Sequence, residues 1–274
     1  MNKKEKYCGY IAIVGRPNVG KSTLINEIVK KNISITSKKK NTTQSNITGI
    51  KTNENYQSIY IDTPGVHCYD IKTLQIIKNT NLIIFLMDRN IWKKEDEIIF
   101  NQIKQMNIPI IYTINKIDKL INKNNILSYI DILFKKTNAT EIIPVSVKKR
   151  SNIILLEKIV EKYLPKNQHI FPKTHITTNS FYFSISEIIR KQLILFLRDE
   201  LPSILTVKIE SIEYKFKKLH INAIIYVKNK RQKKIVIGSH GEIIKKISML
   251  SRYYIEKEIN KKVYLLIWVI EKIK

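Results

Sequence analysis

The sequence predicts two domains, an α/β domain with a mainly parallel sheet and, after it, a smaller α+β domain. Up to about residue 164, apolar strand-like runs alternate with helical stretches, the pattern of a parallel sheet with helices on both faces. Residues 163–180 then carry two prolines and a cluster of Thr, Asn and Ser, which is typical of a linker. Beyond this segment the order of elements changes. We expect domains at residues 1–165 and 182–274, joined by a linker at 166–181.

The strands of the first domain are predicted from apolar runs. These runs are Tyr10–Val14, Ser58–Ile61, Leu82–Met87, Ile108–Ile114 and Glu141–Val145. A motif with polar or glycine residues follows most of them. Because ligands bind at the carboxyl ends of strands in open α/β sheets, we expect the functional residues at this edge.

The second domain is predicted to have the order α-β-β-α-α-β. Its elements are a helix at Ser186–Asp199, strands at Leu205–Glu213 and His220–Val227, helices at Glu242–Leu250 and Ser251–Asn260, and a strand at Val263–Ile270. The segment KKIVI at 233–237 is predicted as a further short strand. This order is that of a small α+β domain.

The formal charge of +26 on 274 residues points to a polyanionic partner such as nucleic acid. Heavy use of lysine, isoleucine and asparagine throughout the chain offers a second explanation, a drift in base composition that needs no partner. Patches of charge are therefore more informative than the total.

Cys8 and Cys68 form no CxxC pattern, so neither a disulfide framework nor a thiolate metal site is expected. Apolar runs such as Leu265–Ile270 are far shorter than the roughly 20 residues that span a bilayer. The first strand begins by about residue 10, which leaves no room for a targeting peptide. We expect a cytoplasmic protein, and nothing in the sequence indicates more than a monomer.

Five of the seven glycines lie in three motifs: Gly15 and Gly20 in GRPNVGKST, Gly65 in DTPG, and Gly238 and Gly241 in GSHG. Glycine is needed where the backbone approaches a ligand closely or takes a positive φ. The first two motifs are phosphate-site patterns, and the third matches a loop that contacts RNA.

GRPNVGKST matches the P-loop pattern between a strand and a helix, where backbone N–H groups and the helix N-terminus face phosphates. We expect Lys21 to reach the β and γ phosphates and Ser22 to ligate Mg²⁺. Asn18 is a candidate ligand for a monovalent cation such as K⁺. The predicted nucleotide contacts of this loop are Gly15, Arg16, Pro17, Asn18, Val19, Gly20, Lys21, Ser22 and Thr23.

A P-loop alone leaves ATP and GTP open, and the segment NKID decides between them. In an N-K-x-D signature, Asn115 and Lys116 precede an aspartate, here Asp118, whose carboxylate accepts from the N1–H and exocyclic amine of guanine. Adenine lacks this donor pair. Ser146 in PVSVKK lies where G proteins carry an S-A-K turn, although Val147 replaces the alanine.

DTPG supplies four predicted nucleotide contacts: Asp62, Thr63, Pro64 and Gly65. Asp62 is suited to hold Mg²⁺ through water, and the Gly65 N–H to sense the γ phosphate. In the preceding loop Thr43 is our choice for the threonine that completes the Mg²⁺ shell, with Thr42 as the alternative. We expect Lys21, Thr43 and Gly65 to act in hydrolysis.

Val66 follows Gly65, at the position where Ras-like proteins have a glutamine that orients the attacking water. Since valine cannot orient water, we expect slow intrinsic hydrolysis that depends on a backbone-held water, a cation or a partner.

GSHG matches the G-x-x-G loop with which KH domains contact a single-stranded backbone. The predicted RNA contacts are Lys233, Lys234, Gly238, Ser239, His240, Gly241, Lys245 and Lys246. A lone GxxG is a weak signal, and the surrounding α-β-β-α-α-β order strengthens it.

Taken together, GRPNVGKSTLIN, ISITSKKKNTTQ, DTPGVH, NKID and VIGSHGEIIKKI resemble the bacterial Era family of GTPases. The similarity runs from the first strand to LLIWV near the end and includes FPKTHIT and SEIIRKQL. The resemblance implies a P-loop GTPase domain followed by a type II KH domain. It also implies a GTP-dependent assembly factor that binds near the 3′ end of small-subunit ribosomal RNA, with peripheral association at the inner face of the cytoplasmic membrane.

The chain departs from the family in three places. The stretch after DTPGVH is shorter, Ser239 and His240 stand where the family usually carries a lysine, and the family's C-terminal tail does not follow the last strand. Two alternatives stay open: a nucleotide-binding and RNA-binding module that has lost hydrolysis, and a GTPase that acts on another RNA.

Overall fold

The computed structural model describes residues 5–35, 47–65, 68–120, 125–197 and 205–272. The chain divides into two compact units, Met1–Thr178 and Asn179–Lys274. Within the described residues, no helix is both long enough and apolar enough to cross a bilayer.

The first unit is a sheet with the strand order β2-β3-β1-β4-β5-β6. Its strands are β1 Tyr7–Val14, β2 Ile47–Thr52, β3 Tyr56–Asp62, β4 Leu82–Asp88, β5 Ile110–Asn115 and β6 Glu141–Pro144. Its helices are α1 Lys21–Val29, α2 Ile71–Lys78, α3 Lys94–Ile103, α4 Asn125–Thr137 and α5 Ile153–Lys162. β2 pairs antiparallel with β3, and the other pairings are parallel. The predicted α/β fold with a mainly parallel sheet is confirmed, and β2 is a strand that the sequence analysis missed.

Two apolar layers cover the sheet because consecutive strand residues point to opposite faces. In β1, Ile11 and Ile13 pack into one cluster with α1 and α5, whereas Ala12 and Val14 pack into the other with α3 and α4. A sheet buried on both faces explains why β4 reads as an unbroken apolar run.

The end of the first unit lies along the strands. The main chain of Cys8 donates to the carbonyl of Pro165 at 3.1 Å, and that of Ile50 donates to Ile176 at 2.7 Å. The buried side chain of Gln57 accepts from the N–H groups of Ile170 and Phe171 at 2.8 and 2.9 Å. Much of the predicted linker is therefore packed against the first unit.

The second unit has a sheet of order β7-β8-β9. Its elements are α6 Phe181–Phe196, β7 Thr206–Lys215, β8 Lys218–Val227, α7 Lys230–Ile237, α8 Glu242–Ile259 and β9 Val263–Glu271. β7 runs antiparallel and β9 parallel to β8. Ile189 of α6 and Ile255 of α8 pack with Ile221 and Leu265 in one core, so the helices cover one face of this sheet.

The predicted order α-β-β-α-α-β is correct, but two of its elements were assigned wrongly. KKIVI is the end of helix α7 and not a strand. The helix forms because the Asn229 side chain accepts from the N–H of Gln232 at 3.0 Å, an N-cap that outweighs the β-branched run. The predicted helices at 242–250 and 251–260 are one continuous helix, α8. GSHG consequently joins two helices.

Candidate nucleotide and nucleic-acid sites

The P-loop connects β1 to α1, and the surrounding chain requires its glycines. Gly15 has φ 145°, and a Cβ there would lie 2.3 Å from the carbonyl oxygen of Leu86. Gly20 has φ 110°, and its Cβ would lie 2.4 Å from Nδ2 of Asn115. The loop therefore packs directly on β4 and on the NKID segment.

Lys21 is buried at the start of α1. Its Nζ donates to the carbonyl oxygens of Gly15 at 2.7 Å and Arg16 at 3.1 Å. Burial lowers the pKa of Lys21 to about 8, although the nearby carboxylate of Asp62 opposes this shift. The ammonium group is thus held within the loop and would gain from an anionic partner.

The side chain of Arg16 reaches α3. Its Nε contacts Oδ2 of Asp96 at 2.9 Å, and both side chains are almost fully buried. The same Asp96 oxygen accepts from the N–H of Lys93 at 3.0 Å, at the start of α3. The side chain of Arg16 therefore attaches the P-loop to α3.

Ser22 and Asp62 lie together, as the Mg²⁺ prediction requires. Oδ2 of Asp62 accepts from Oγ of Ser22 at 2.7 Å and from Oγ of Ser34 at 2.8 Å. Oδ1 of Asp62 is buried and has no hydrogen-bond partner among the described residues. Burial raises the pKa of Asp62. A hard cation prefers such oxygen ligands, so the residues fit Mg²⁺. The switch threonines, Thr42 and Thr43, and Val66 lie outside the described residues.

NKID packs against the P-loop through Asn115. Its Nδ2 donates to the carbonyl of Val19 at 2.8 Å, and its Oδ1 accepts from the N–H groups of Lys116 and Val147 at 2.7 and 3.1 Å. Asn115 thus joins three loops: the P-loop, NKID and the turn that contains Ser146. Val147 is buried.

Asp118 is positioned by Ser146. The Ser146 hydroxyl donates to Oδ1 of Asp118 at 2.5 Å, and this bond lowers the pKa of that carboxyl group. Asp118 therefore stays ionised at neutral pH and keeps acceptor capacity for a donor pair. The two predicted base-binding residues, 28 positions apart, are brought together.

Lys116 contacts the P-loop and a residue that the sequence analysis missed. Its Nζ donates to the carbonyl of Asn18 at 2.6 Å and to Oδ2 of Asp88 at 3.0 Å. Burial favours a raised pKa for Asp88, but hydrogen bonds from Arg89 and Lys116 bring it below the usual value. Its place at the end of β4 was the available signal, since ligand-binding residues lie at strand ends.

A second missed residue, Tyr69, links DTPG to the P-loop. Its hydroxyl accepts from the N–H of Gly15 at 3.0 Å and lies 3.1 Å from Oγ1 of Thr63. A Cβ on Gly65 would lie 3.0 Å from Nζ of Lys21 and from Cα of Pro17. DTPG and the P-loop are therefore in close contact. No sequence pattern indicated Tyr69.

In the second unit, GSHG is a tight turn between α7 and α8. Gly238, His240 and Gly241 have φ of 79°, 47° and 78°. A Cβ on Gly238 would lie 2.6 Å from the Ile243 side chain, whereas the space at Gly241 is open. The predicted lysines lie in the last turns of α7 and the first turns of α8. Lys234, Lys245 and Lys246 are exposed, and Lys233 is half-buried.

Sequence comparisons identify relatives over both units. The family profile described as 50S ribosome-binding GTPase matches residues 10–116, and the KH domain profile matches residues 200–274. The GTPase Era of Buchnera aphidicola subsp. Schizaphis graminum is 64% identical over 277 residues, and the alignment covers all of both chains.

The chain belongs to the Era family of GTPases. The family that the motifs predicted is thereby confirmed. The more distant GTPase Era of Vibrio vulnificus is 41% identical, over 98% of this chain and 87% of its own length.

Solved Era structures have the same fold. One from Aquifex aeolicus, bound to GDP·AlF4⁻, is 35% identical with a TM-score of 0.90. Another, in complex with MgGDPNP and nucleotides 1506–1542 of 16S ribosomal RNA, is 36% identical with a TM-score of 0.91. Each alignment covers 97% of this chain and 94% of the Era chain.

Proposed function

We propose that this protein binds GTP with Mg²⁺, hydrolyses it to GDP and phosphate, and binds small-subunit ribosomal RNA during assembly of that subunit. The observation that carries the proposal is the junction of the P-loop, Asp62 and Asp118 at the carboxyl ends of the first unit's strands. The residues that we assign to phosphate, metal and guanine lie on one edge of one sheet there.

Guanine selection is assigned to Asp118. One of its oxygens accepts from Ser146, and the ionised carboxylate accepts from the N1–H and amine of the base. Asn115 fixes the backbone on both sides, and Lys116 connects this segment to the P-loop. ATP offers no matching donor pair and should bind weakly. A purine that keeps the N1–H but lacks the exocyclic amine beside it should also bind more weakly than guanine.

Ser22 and Asp62 would hold Mg²⁺, with Thr43 as the proposed third residue. When bound, the ion neutralises charge on the β and γ phosphates. The Era relative that carries MgGDPNP supports this assignment.

Hydrolysis rests on positioning and charge, because no side-chain base is evident near the phosphate site among the residues that the structure describes. The ammonium of Lys21 stabilises charge that develops on the transferring phosphoryl group, and the Gly65 N–H donates to a γ-phosphate oxygen. Thr43 contributes through its hydroxyl. Val66 cannot orient water, which is why we propose a slow intrinsic rate.

RNA binding is assigned to the GSHG turn and the lysines that flank it. Gly238 and Gly241 let a phosphate approach the backbone. Helix α8 begins at this turn, so its N-terminal N–H groups face the same phosphate. The Era complex with 16S ribosomal RNA nucleotides supports the same partner for this chain.

The decisive test is single-turnover GTP hydrolysis with and without small ribosomal subunits. We expect slow turnover that the subunits accelerate. Tight GTP binding with no turnover in either condition would favour the binding module that has lost hydrolysis. Crosslinking to cellular RNA, followed by sequencing, tests the partner, and a footprint away from small-subunit ribosomal RNA would favour another RNA.

Three finer points stay predictions. Asn18 is proposed as a K⁺ ligand, and equal GTP turnover in K⁺ and Na⁺ buffers would contradict it. Peripheral contact with the inner face of the cytoplasmic membrane follows from the family resemblance. A monomeric state is expected.

A further inference from the structure

Tyr69 is a buried residue whose polar groups all point at the nucleotide-site loops or at α3. It lies four residues after Gly65, between DTPG and α2. Its hydroxyl is placed between Gly15 of the P-loop and Thr63 of DTPG.

The hydrogen bonds around this hydroxyl form a chain with a defined direction. Oγ1 of Thr63 donates to the carbonyl of Ile13 at 2.8 Å, so it accepts from Tyr69 at 3.1 Å. The Tyr69 oxygen in turn accepts from the N–H of Gly15 at 3.0 Å, and the Gly15 carbonyl lies farther away at 3.5 Å. Burial raises the pKa of Tyr69 to about 12, so the hydroxyl keeps its proton in any assay near neutral pH.

The main chain of Tyr69 is held separately by Gln102 of α3. Oε1 of Gln102 accepts from the Tyr69 N–H at 3.0 Å, and Nε2 donates to the Tyr69 carbonyl at 3.1 Å. The same Nε2 also donates to Sγ of Cys68 at 3.2 Å. Both the oxygen and the nitrogen of the Gln102 amide thus help to fix this short segment.

We propose that Tyr69 is a positioning residue for GTP hydrolysis. The Tyr69 hydroxyl sets the position of DTPG relative to the P-loop, while Gln102 fixes the Tyr69 main chain. This inference rests on the proposed GTPase function. Gly15 is held on both sides, by Tyr69 at its N–H and by Lys21 at its carbonyl. DTPG faces the γ phosphate, whereas the P-loop faces the phosphates of GTP and GDP alike. Since the Gly15 carbonyl keeps its bond to Lys21 without the Tyr69 hydroxyl, loss of that hydroxyl should affect the triphosphate state more than the GDP state.

The test uses the full-length protein with Tyr69→Phe, which removes only the hydroxyl. We expect the single-turnover rate with saturating GTP to fall about tenfold, and the affinity for GDP to change less than about threefold. Tyr112→Phe is the matched control, because Tyr112 is a buried tyrosine of the same apolar cluster whose hydroxyl bonds Thr137. Its hydrolysis rate should equal that of the wild type.

Cys68 supplies a second readout, because it is exposed while Cys8, the other cysteine, is buried. With a non-hydrolysable GTP analogue bound, N-ethylmaleimide should modify Cys68 about threefold faster in Tyr69→Phe than in the wild type. Gln102→Leu should shift both readouts in the same direction, and Gln102→Glu, which keeps the acceptor for the Tyr69 N–H, should lie between. If Tyr69→Phe does not fold, the two readouts in Gln102→Leu test the positioning role of Tyr69.

Equal losses of GTP and GDP affinity with an unchanged rate would overturn the inference, since Tyr69 would then only support the P-loop. No change in either measurement would overturn it as well, since the hydroxyl would then have no part in positioning DTPG. A wild type that binds GTP but never hydrolyses it would instead overturn the proposed function.

Discussion

Lys21 lies in a setting that makes nucleotide binding depend on pH. Burial lowers its pKa to about 8 in the free protein, whereas bound phosphates favour the charged form. Below pH 8 the ammonium is already present, so affinity should be flat. Above pH 8 a proton must be taken up, and the affinity for GDP should fall by up to about tenfold per pH unit. Titration calorimetry between pH 7 and 9.5 measures this slope.

Lys21→Ala is the control for this prediction. It should bind GDP about tenfold to a hundredfold more weakly, because a charge-assisted hydrogen bond is lost. Its affinity should show no dependence on pH beyond the titration of the nucleotide itself. A wild-type slope that matches the slope of the variant would assign the titration to the ligand and contradict our account of Lys21.

Asp88 should support nucleotide binding without contributing to the chemical step. Its carboxylate holds Lys116 while that lysine contacts the P-loop carbonyl of Asn18. We expect Asp88→Asn to weaken GTP and GDP equally, by about tenfold, with kcat unchanged. Asp131→Asn, on the exposed surface of α4, should leave both affinities as they are. A fall in kcat with unchanged affinity would place Asp88 in the reaction instead.

At the level of elements, the sequence predicted what local signals determine. Each strand predicted in the first unit was found, because buried parallel strands read as apolar runs. β2 was missed because its apolar run is interrupted by Gly49 and ends in Lys51 and Thr52, and the strand gains its place by pairing with β3. The prediction of a strand at KKIVI was wrong because a β-branched run can also form one apolar stripe of a capped helix.

The site divides in a similar way. Residues in fixed motifs could be predicted, since P-loop and NKID chemistry requires particular residue types at particular spacings. Asp88 and Tyr69 reach the site through contacts between residues 28 and 54 positions apart. Such long-range contacts leave no periodic signal in a single sequence, so they required the fold.

Gln57 is the residue that should hold the end of the first unit in place. It is fully buried, accepts from Ile170 and Phe171, and donates to the Phe171 carbonyl at 2.8 Å. Gln57→Leu leaves these main-chain groups without partners. We expect a loss of about 2–4 kcal/mol in the local stability of residues 166–178.

Limited trypsin digestion measures this local stability through cleavage after Lys166 and Lys173. The rate in Gln57→Leu should rise at least about tenfold, whereas Gln105→Leu, an exposed glutamine after α3, should digest like the wild type. An unchanged rate in Gln57→Leu would mean that two contacts with β2 are sufficient to hold the segment, the bond from the Ile50 N–H to the Ile176 carbonyl and the bond from the Thr177 hydroxyl to the Thr48 carbonyl.

For the molecule as a whole, the open question is whether the charge of +26 is a general property or serves one surface. The structure places exposed lysines on both units, so the total alone does not identify an RNA site. Lys234, Lys245 and Lys246 differ from the rest because they lie beside a glycine turn and a helix N-terminus, two features that bind phosphate. The contribution of these three lysines to RNA binding should therefore be separable from the contribution of the total charge.

Salt dependence separates the two cases. For a single-stranded RNA, each phosphate contact contributes about 0.7 to the slope of log K against log salt. Lys245→Ala with Lys246→Ala should make the slope shallower by about 1.4 and weaken binding. Lys217→Ala with Lys218→Ala removes the same charge from the β7–β8 hairpin of the same unit and should change the slope little. Equal changes in both double variants would mean that RNA responds to bulk charge, as expected if base composition alone had enriched lysine.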